Sequence, residues 1–170
     1  MNTKGAARFI ASLRLDEMPP EVVVRAKLCI MDAVGTMLGG LDTQVARIAR
    51  GLVESRGGKE ESTLFGSGVK VPASQASFSN CVAASALDFD DGHRLGGHPA
   101  SVLVPSALAV AEAQGASGTT LLEGVVAGYE IAVRALENLV GPDMGGHYGL
   151  PVPATGQSYA NTGPGGAYGA

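Results

Sequence analysis

The stretch PEVVVRAKLCIMDAVGTML, residues 20–38, decides the fold. Pro20 suits the first turn of a helix, where its missing N–H costs nothing, and Glu21 sits beside the positive end of the helix dipole. Val24, Leu28, Met31, Val34 and Leu38 then recur at helical spacing, which predicts an amphipathic helix with that stripe turned inward. Gly39-Gly40 ends it. Arg25, Lys27 and Asp32 interrupt the run, so it would not cross a bilayer cheaply.

The same reasoning extends both ways. Upstream, Ala6, Phe9, Ile10 and Leu13 predict a short helix over Thr3 to Leu15, stopped by Pro19-Pro20. Downstream, Asp42 or Thr43 can cap a helix running to Ser55, with Val45, Ile48, Ala49 and Leu52 inward and Arg47 and Arg50 outward. Gly57-Gly58 closes it. Between Glu61 and Val71 the chain reads as a connector containing a short extended piece, Ser62-Thr63-Leu64-Phe65. Pro72 opens a helix rich in small residues, Ala73 to Leu87, which delivers the chain to Asp88. Pro99 starts another, Ala100 to Gln114, in which Pro105 is expected to bend or restart the helix. Ser117 and Thr119 offer caps for a long helix from Thr120 to Val140, with Leu121, Val125, Tyr129, Val133 and Leu136 inward. Six helices and no strand-rich region predict an all-α, helical bundle-like domain. From residue 142 to 170 the chain is Gly- and Pro-rich, and a poorly packed end is expected there. The chain, 1–170, is thus read as one incomplete helical unit. No repeat of 20 to 50 residues supports a solenoid.

Composition narrows the partners. Hydrophobic residues make up 45% of the chain and charged ones 16%, against about 25% charged in ordinary soluble domains. The surplus of Ala, Val, Leu and Gly suits close helix packing, with an apolar face left for further chain or a second subunit. A formal charge of −4 and scattered basic residues exclude nucleic acid as a natural partner. Cys29 and Cys81 lie in apolar runs without CxxC spacing, which fits free thiols in a reducing compartment, the cytosol or an organelle matrix, and of these a cytoplasmic protein is expected. No basic segment leads into an apolar core at the N-terminus, so no secretory signal is read there. The apolar run from Leu121 to Leu136 contains Glu123, Glu130 and Arg134, so no membrane span is expected.

Chemistry concentrates between two of the predicted helices, in Asp88-Phe89-Asp90-Asp91-Gly92-His93-Arg94-Leu95-Gly96-Gly97-His98-Pro99. Three carboxylates, two imidazoles and a guanidinium can shift one another's titration and supply acid, base and anion-binding groups near neutral pH. His98 precedes Pro99 and is held extended beside a helix N-terminus, which favours an anion. A plainer reading makes Asp88 and Asp90 helix-terminating residues and the rest a solvated loop. The spacing matches neither HExxH nor a calcium loop, so no metal site is expected. His147, beside Tyr148, is the third histidine. Gly66-Ser67-Gly68 reads as a turn, and Gly163-Pro164-Gly165-Gly166 as an imperfect anion cradle, because Pro164 removes one donor.

At these residues the sequence resembles the MmgE/PrpD family, which includes 2-methylcitrate dehydratases, cis-aconitate decarboxylases and an iminodisuccinate epimerase. The likeness rests on Phe9 to Leu13, Met18 to Val23, Arg25 to Lys27, Asp32 to Gly35, Gly39-Gly40, Asn80 to Asp91, His98-Pro99 and Gly128-Tyr129-Glu130. It implies a large helical domain assembled from both ends of a longer chain, of which this sequence would be the first part, inactive alone. Asp88, His98 and, by a looser match, His147 stand at the positions it implies to be catalytic, with Asp91 and His93 beside them. We expect Arg94 and His93 to help hold an anionic substrate. The implied partners are a small di- or tricarboxylic acid and a second copy of the chain, with no cofactor. Gly92 departs from the family, which often carries a hydroxyl residue there, and the tail after His147 departs further. These departures keep a non-catalytic helical interaction module as the rival expectation, with a metal-dependent hydrolase third.

Overall fold

The computed structural model describes residues 3–93 and 97–140, with side chains as far as residue 135. Prolines, glycines and small polar residues punctuate it. Helix α1 (Thr3–Ser12) is followed by a single 3-10 turn (Leu15–Glu17), α2 (Pro20–Gly40) and α3 (Gln44–Arg56). A hairpin of β1 (Ser62–Thr63) and β2 (Lys70–Val71) leads to α4 (Ala73–Ser85), α5 (Ala100–Gln114) and α6 (Gly118–Val140). The class is all-α, as predicted. The Gly- and Pro-rich end at 142–170, expected to pack poorly, lies outside the described residues.

Local signals set the helix ends. Thr43, not Asp42, caps α3 by accepting the Ala46 N–H at 3.4 Å, and Ser117 accepts the Thr120 N–H at 3.2 Å ahead of α6. At the far end of α3, Gly57 and Gly58 take φ of 57° and 129°, the left-handed region that favours glycine. Helix α1 is shorter than predicted. The chain leaves it at Ser12, and the Leu15 N–H goes instead to the Glu123 carboxylate on α6, at 2.9 Å. Helix α4 likewise stops at Ser85, two residues early. Of the bend or restart expected at Pro105, the restart does not occur. Helix α5 runs unbroken because Pro105 is fully buried, and its packing offsets the hydrogen bond it cannot donate.

The connector is the two-residue antiparallel ladder Ser62↔Val71 and Thr63↔Lys70. It is pinned to the helices by polar contacts that leave few buried groups unmatched. Ser62 Oγ donates to the Ala109 carbonyl. The Asn80 amide donates to the Thr63 carbonyl and accepts the Phe65 N–H, both at 3.1 Å.

Helix α4 lies at the centre, against α2, α3 and α5. Its buried residues are Ala76, Ser79, Asn80, Ala83 and Ala84, small enough to let helix backbones approach closely. Three apolar groups build the core: Val53, Leu64, Val71, Ala76 and Ala109; Ala33, Ala100, Val104 and Val125; and Met37, Ala46, Ala83 and Ala84. On α6, Val125 is buried as expected, with Leu121 and Tyr129 packed against the second group. Leu136, also expected inward, has a side chain outside the described residues.

Two inward stripes predicted from the sequence are mostly turned outward, with Val34 on α2 and Ala49 on α3 inward as expected. On α2 the buried residues are Ala26, Ala33, Thr36, Met37 and Gly40, while Val24, Leu28, Met31 and Leu38 are exposed, Met31 to 66%. Of the predicted stripe, only Val34 packs against the core. On α3, Ala46, Ala49 and Val53 are buried and Val45, Ile48 and Leu52 exposed, Ile48 to 63%. Arg50, expected to point outward, is part-buried and donates to the Leu41 carbonyl at 3.2 Å. The reason is steric. The crowded centre accepts alanine and glycine, so the larger aliphatic groups on the same helices form a separate apolar face. No described helix is long and apolar enough to cross a membrane.

Candidate active site

The loop after α4 begins with a left-handed residue. The Asp88 N–H donates to the Ser85 carbonyl at 3.1 Å, and Asp88 has a φ of 49°, the one non-glycine residue with positive φ among those described. Aspartate tolerates that conformation better than most side chains. The turn drops the next three residues across the N-terminus of α5. The loop then closes on itself, with the His93 N–H donating to the Gly97 carbonyl at 3.1 Å and Gly97 at a φ of 88°. His98 and Pro99 follow, and the Ser101 hydroxyl donates to the His98 carbonyl at 2.9 Å.

The three aspartates separate by environment. Asp91 is a structural tie: one carboxylate oxygen accepts the Ala100 N–H at 2.9 Å, at the start of α5, and the other accepts the Tyr129 hydroxyl at 2.8 Å, on α6. Burial pushes the Asp91 carboxyl above its usual range, with the bonds from Tyr129 and Ala100 opposing it. Burial also raises the Tyr129 hydroxyl well above the ordinary phenol value, and the Asp91 charge adds to the effect. Burial raises the Cys29 thiol too, with Tyr129 opposing the effect. Each oxygen of Asp91 thus already accepts one hydrogen bond from within the fold.

Asp88 and His98, which the sequence reading placed at catalytic positions, are brought together: His98 Nε2 lies 4.0 Å from an Asp88 carboxylate oxygen. Asp90, which was expected at most to terminate a helix, lies closer, 3.5 Å from His98 Nδ1. Three adjacent carboxylates look alike in a sequence, and nothing short of the loop's path distinguishes them. Ligand atoms of Asp88, Asp90 and His98 fall within 4.8 Å of one another, so these three could also offer themselves to a divalent cation.

Among the described residues, two hollows flank the loop. One of about 800 Å³ is lined by Glu21, Arg25, Cys29, Asp91, His93 and Tyr129, among others. The second, of about 650 Å³, shares Arg25, Cys29 and Asp91 and adds Asp32, Leu87 and Phe89. His93 thus reaches a hollow as expected, and Arg25 joins it unforeseen, one helical turn from Cys29 on α2. Neither Asp88 nor His98 lines these two hollows. Arg94 and His147, the other residues named from the sequence, lie outside the described residues.

The pH response of Asp91 is testable. The folded chain holds the Asp91 proton to higher pH than the unfolded chain, so between the two titrations the unfolded state binds fewer protons. Stability from this group is therefore greatest below the ordinary carboxylate value, about pH 4, and is lost as pH rises through the raised value. Asp91→Asn keeps an acceptor for the Ala100 N–H and removes the titration. Urea midpoints measured from pH 4 upward are expected to fall less steeply with pH in the variant, and an unchanged slope would refute this account of Asp91.

The family model described as the MmgE/PrpD N-terminal domain matches residues 4–158. The human protein named cis-aconitate decarboxylase is 31% identical over 139 residues, which cover 79% of this chain and 29% of that protein. The mouse protein of the same name is 27% identical over 139 residues, covering 79% of this chain and 28% of its own. The chain therefore spans less than a third of the length of these curated relatives.

Proposed function

The chain belongs to the MmgE/PrpD family, and from that premise we infer that it supplies acid–base residues to a lyase acting on a small di- or tricarboxylic acid. The observation that carries the reading is the meeting of Asp88 and His98, 4.0 Å apart at the N-terminus of α5. An imidazole so placed can deliver or remove a proton next to a substrate carboxylate, and a helix N-terminus favours that carboxylate's charge. In a decarboxylation, the electron pair of the breaking carbon–carbon bond stays on carbon and carbon dioxide leaves. A proton from the His98 imidazolium then completes the new C–H bond. In a dehydration, the same ring instead removes the proton next to the carboxylate as hydroxide departs.

The names of the human and mouse relatives favour decarboxylation of an unsaturated tricarboxylate. Dehydration of a 2-methylcitrate-like acid uses the same groups and is the nearer alternative. His93 and Arg25, which line the larger hollow, are the described groups suited to holding the remaining carboxylates, and Arg94 and His147 belong to the same proposal. The exposed aliphatic face on α2 and α3 supports burial against further protein, and we propose a homodimer, working in the cytoplasm without a cofactor.

Calorimetric titration of the full chain with cis-aconitate and with 2-methylcitrate tests the reading. Saturable heat, absent with a monocarboxylate of similar size, is expected. No saturable heat with either acid would leave a helical interaction module in its place. The Asp88, Asp90 and His98 cluster favours one further reading, a metal-dependent hydrolase. Stoichiometric zinc or manganese in the purified chain would shift the assignment to it.

A further inference from the structure

We propose that Asp90, rather than Asp88, is the positioning residue for His98, holding the imidazole proton on Nδ1 so that Nε2 is the nitrogen left to act on a substrate. This deepens the proposed function and rests on His98 being its acid–base group.

Burial separates the two carboxylates. The Asp90 side chain is 2% exposed and that of Asp88 is 92% exposed. A charge facing water is screened and mobile, so Asp88 can hold a neighbouring ring only weakly. A carboxylate removed from water interacts more strongly with whatever polar group it meets, because the surrounding dielectric is low.

Asp90 has little else to meet. Its second oxygen, Oδ2, is buried and has no hydrogen-bond partner among the described residues. A buried carboxylate without partners is costly, so the imidazole facing its other oxygen is the group that compensates it. At 3.5 Å the pair is an electrostatic contact, longer than a formed hydrogen bond, and such contacts tighten when an active site is filled.

The arrangement also dictates the tautomer. A carboxylate only accepts, so the ring nitrogen facing Asp90 must carry the proton, and the lone pair of neutral imidazole then falls on Nε2. Nε2 faces the exposed Asp88 carboxylate, and the His98 side chain as a whole is 33% exposed. Asp91 is engaged elsewhere, its two oxygens accepting from Ala100 and Tyr129, and the carboxylates facing the His98 ring among the described residues are Asp88 and Asp90. What remains for Asp91 is the backbone. Its bond to Ala100 and the Ser101 bond to the His98 carbonyl fix the main chain around His98, while Asp90 sets the ring.

Nitrogen-15 spectra of the imidazoles in the full chain test this directly. The chain has three histidines, and His98→Gln identifies the resonance of interest by its loss. The wild-type chain is expected to show His98 protonated on Nδ1. Asp90→Ala is expected to remove that preference, while Asp88→Asn leaves it in place. In turnover by a complete homologue that carries this loop, Asp90→Ala should lower kcat by about 10- to 100-fold, the range found for partners that orient a functional histidine, with KM nearly unchanged.

Protonation on Nε2 in the wild-type chain overturns the proposal, as does loss of the Nδ1 preference in Asp88→Asn. Stoichiometric zinc that moves the His98 resonance and needs Asp90 to do so also overturns it, because Asp90 is then a ligand. Should Asp90→Ala fail to fold, the wild-type spectrum and Asp88→Asn still decide. The spectra need no substrate. A chain inert towards carboxylic acids but protonated on Nδ1 would therefore refute the function while leaving the positioning intact.

Discussion

Replacing His98 by alanine in a complete homologue that carries this loop is expected to lower turnover of a carboxylic acid by about 10²- to 10⁴-fold, the usual contribution of a positioned general acid or base. That range corresponds to roughly 3–5 kcal/mol of transition-state stabilisation. Proton transfer is the step common to decarboxylation and dehydration, so the loss does not depend on which acid is the substrate. His98 is 33% exposed on its side chain, and the bonds that fix this part of the loop come from its backbone carbonyl and from Asp91. Truncation at Cβ keeps those backbone bonds but leaves the buried Asp90 carboxylate without its imidazole, so the denaturation midpoint is expected to fall while the circular dichroism of the folded chain is unchanged. If the effect were only on substrate binding, KM would rise with kcat preserved. Turnover within roughly twofold of wild type would remove His98 from the mechanism.

The largest effect on stability is expected at Gly40, the last residue of α2. A Cβ built there would press into the carbonyl oxygen of Ala83, lie 3.0 Å from its carbonyl carbon and reach 3.4 Å from the Ala86 Cβ. Two of these three atoms are backbone, so no rotamer change relieves the clash, and α2 and α4 must move apart. Insertion into a packed centre costs about 1–3 kcal/mol and more where the backbone cannot yield, so Gly40→Ala is placed at roughly 3 kcal/mol. Gly51, on the exposed side of α3, provides the contrast. Nothing lies within 4 Å of a Cβ built there. Gly51→Ala is expected to stabilise the chain by roughly 0.5–1 kcal/mol, because alanine loses less backbone freedom in a helix. Chemical denaturation of the two variants checks both signs. Equal midpoints would mean that α2 and α4 do not meet at Gly40.

These two sites show different degrees of legibility. The loop holding His98 could be read from its neighbours: Pro99 starts a helix, Gly97 permits the turn, and Asp and His are concentrated between two apolar runs. Gly40 was legible only in part. Gly39-Gly40 was expected to end α2, yet Gly40 belongs to the helix, and what matters there is the Cβ it lacks.

The amino-acid sequence by itself determined the all-α class, the order of the helices and most of their ends, because caps, prolines and glycines act on bonds within a few residues of themselves. It also marked the segment where the ionisable groups collect. Only the tertiary structure decided which face of α2 and α3 turns inward. Close approach of backbones around α4 selects alanine and glycine over the larger aliphatic residues, and periodicity alone cannot weigh that choice. The division of Asp88, Asp90 and Asp91 into an exposed, a buried and a tied carboxylate was likewise decided in three dimensions. It follows from one left-handed residue at Asp88 and from Tyr129, which reaches the loop from a helix 38 positions further along the chain.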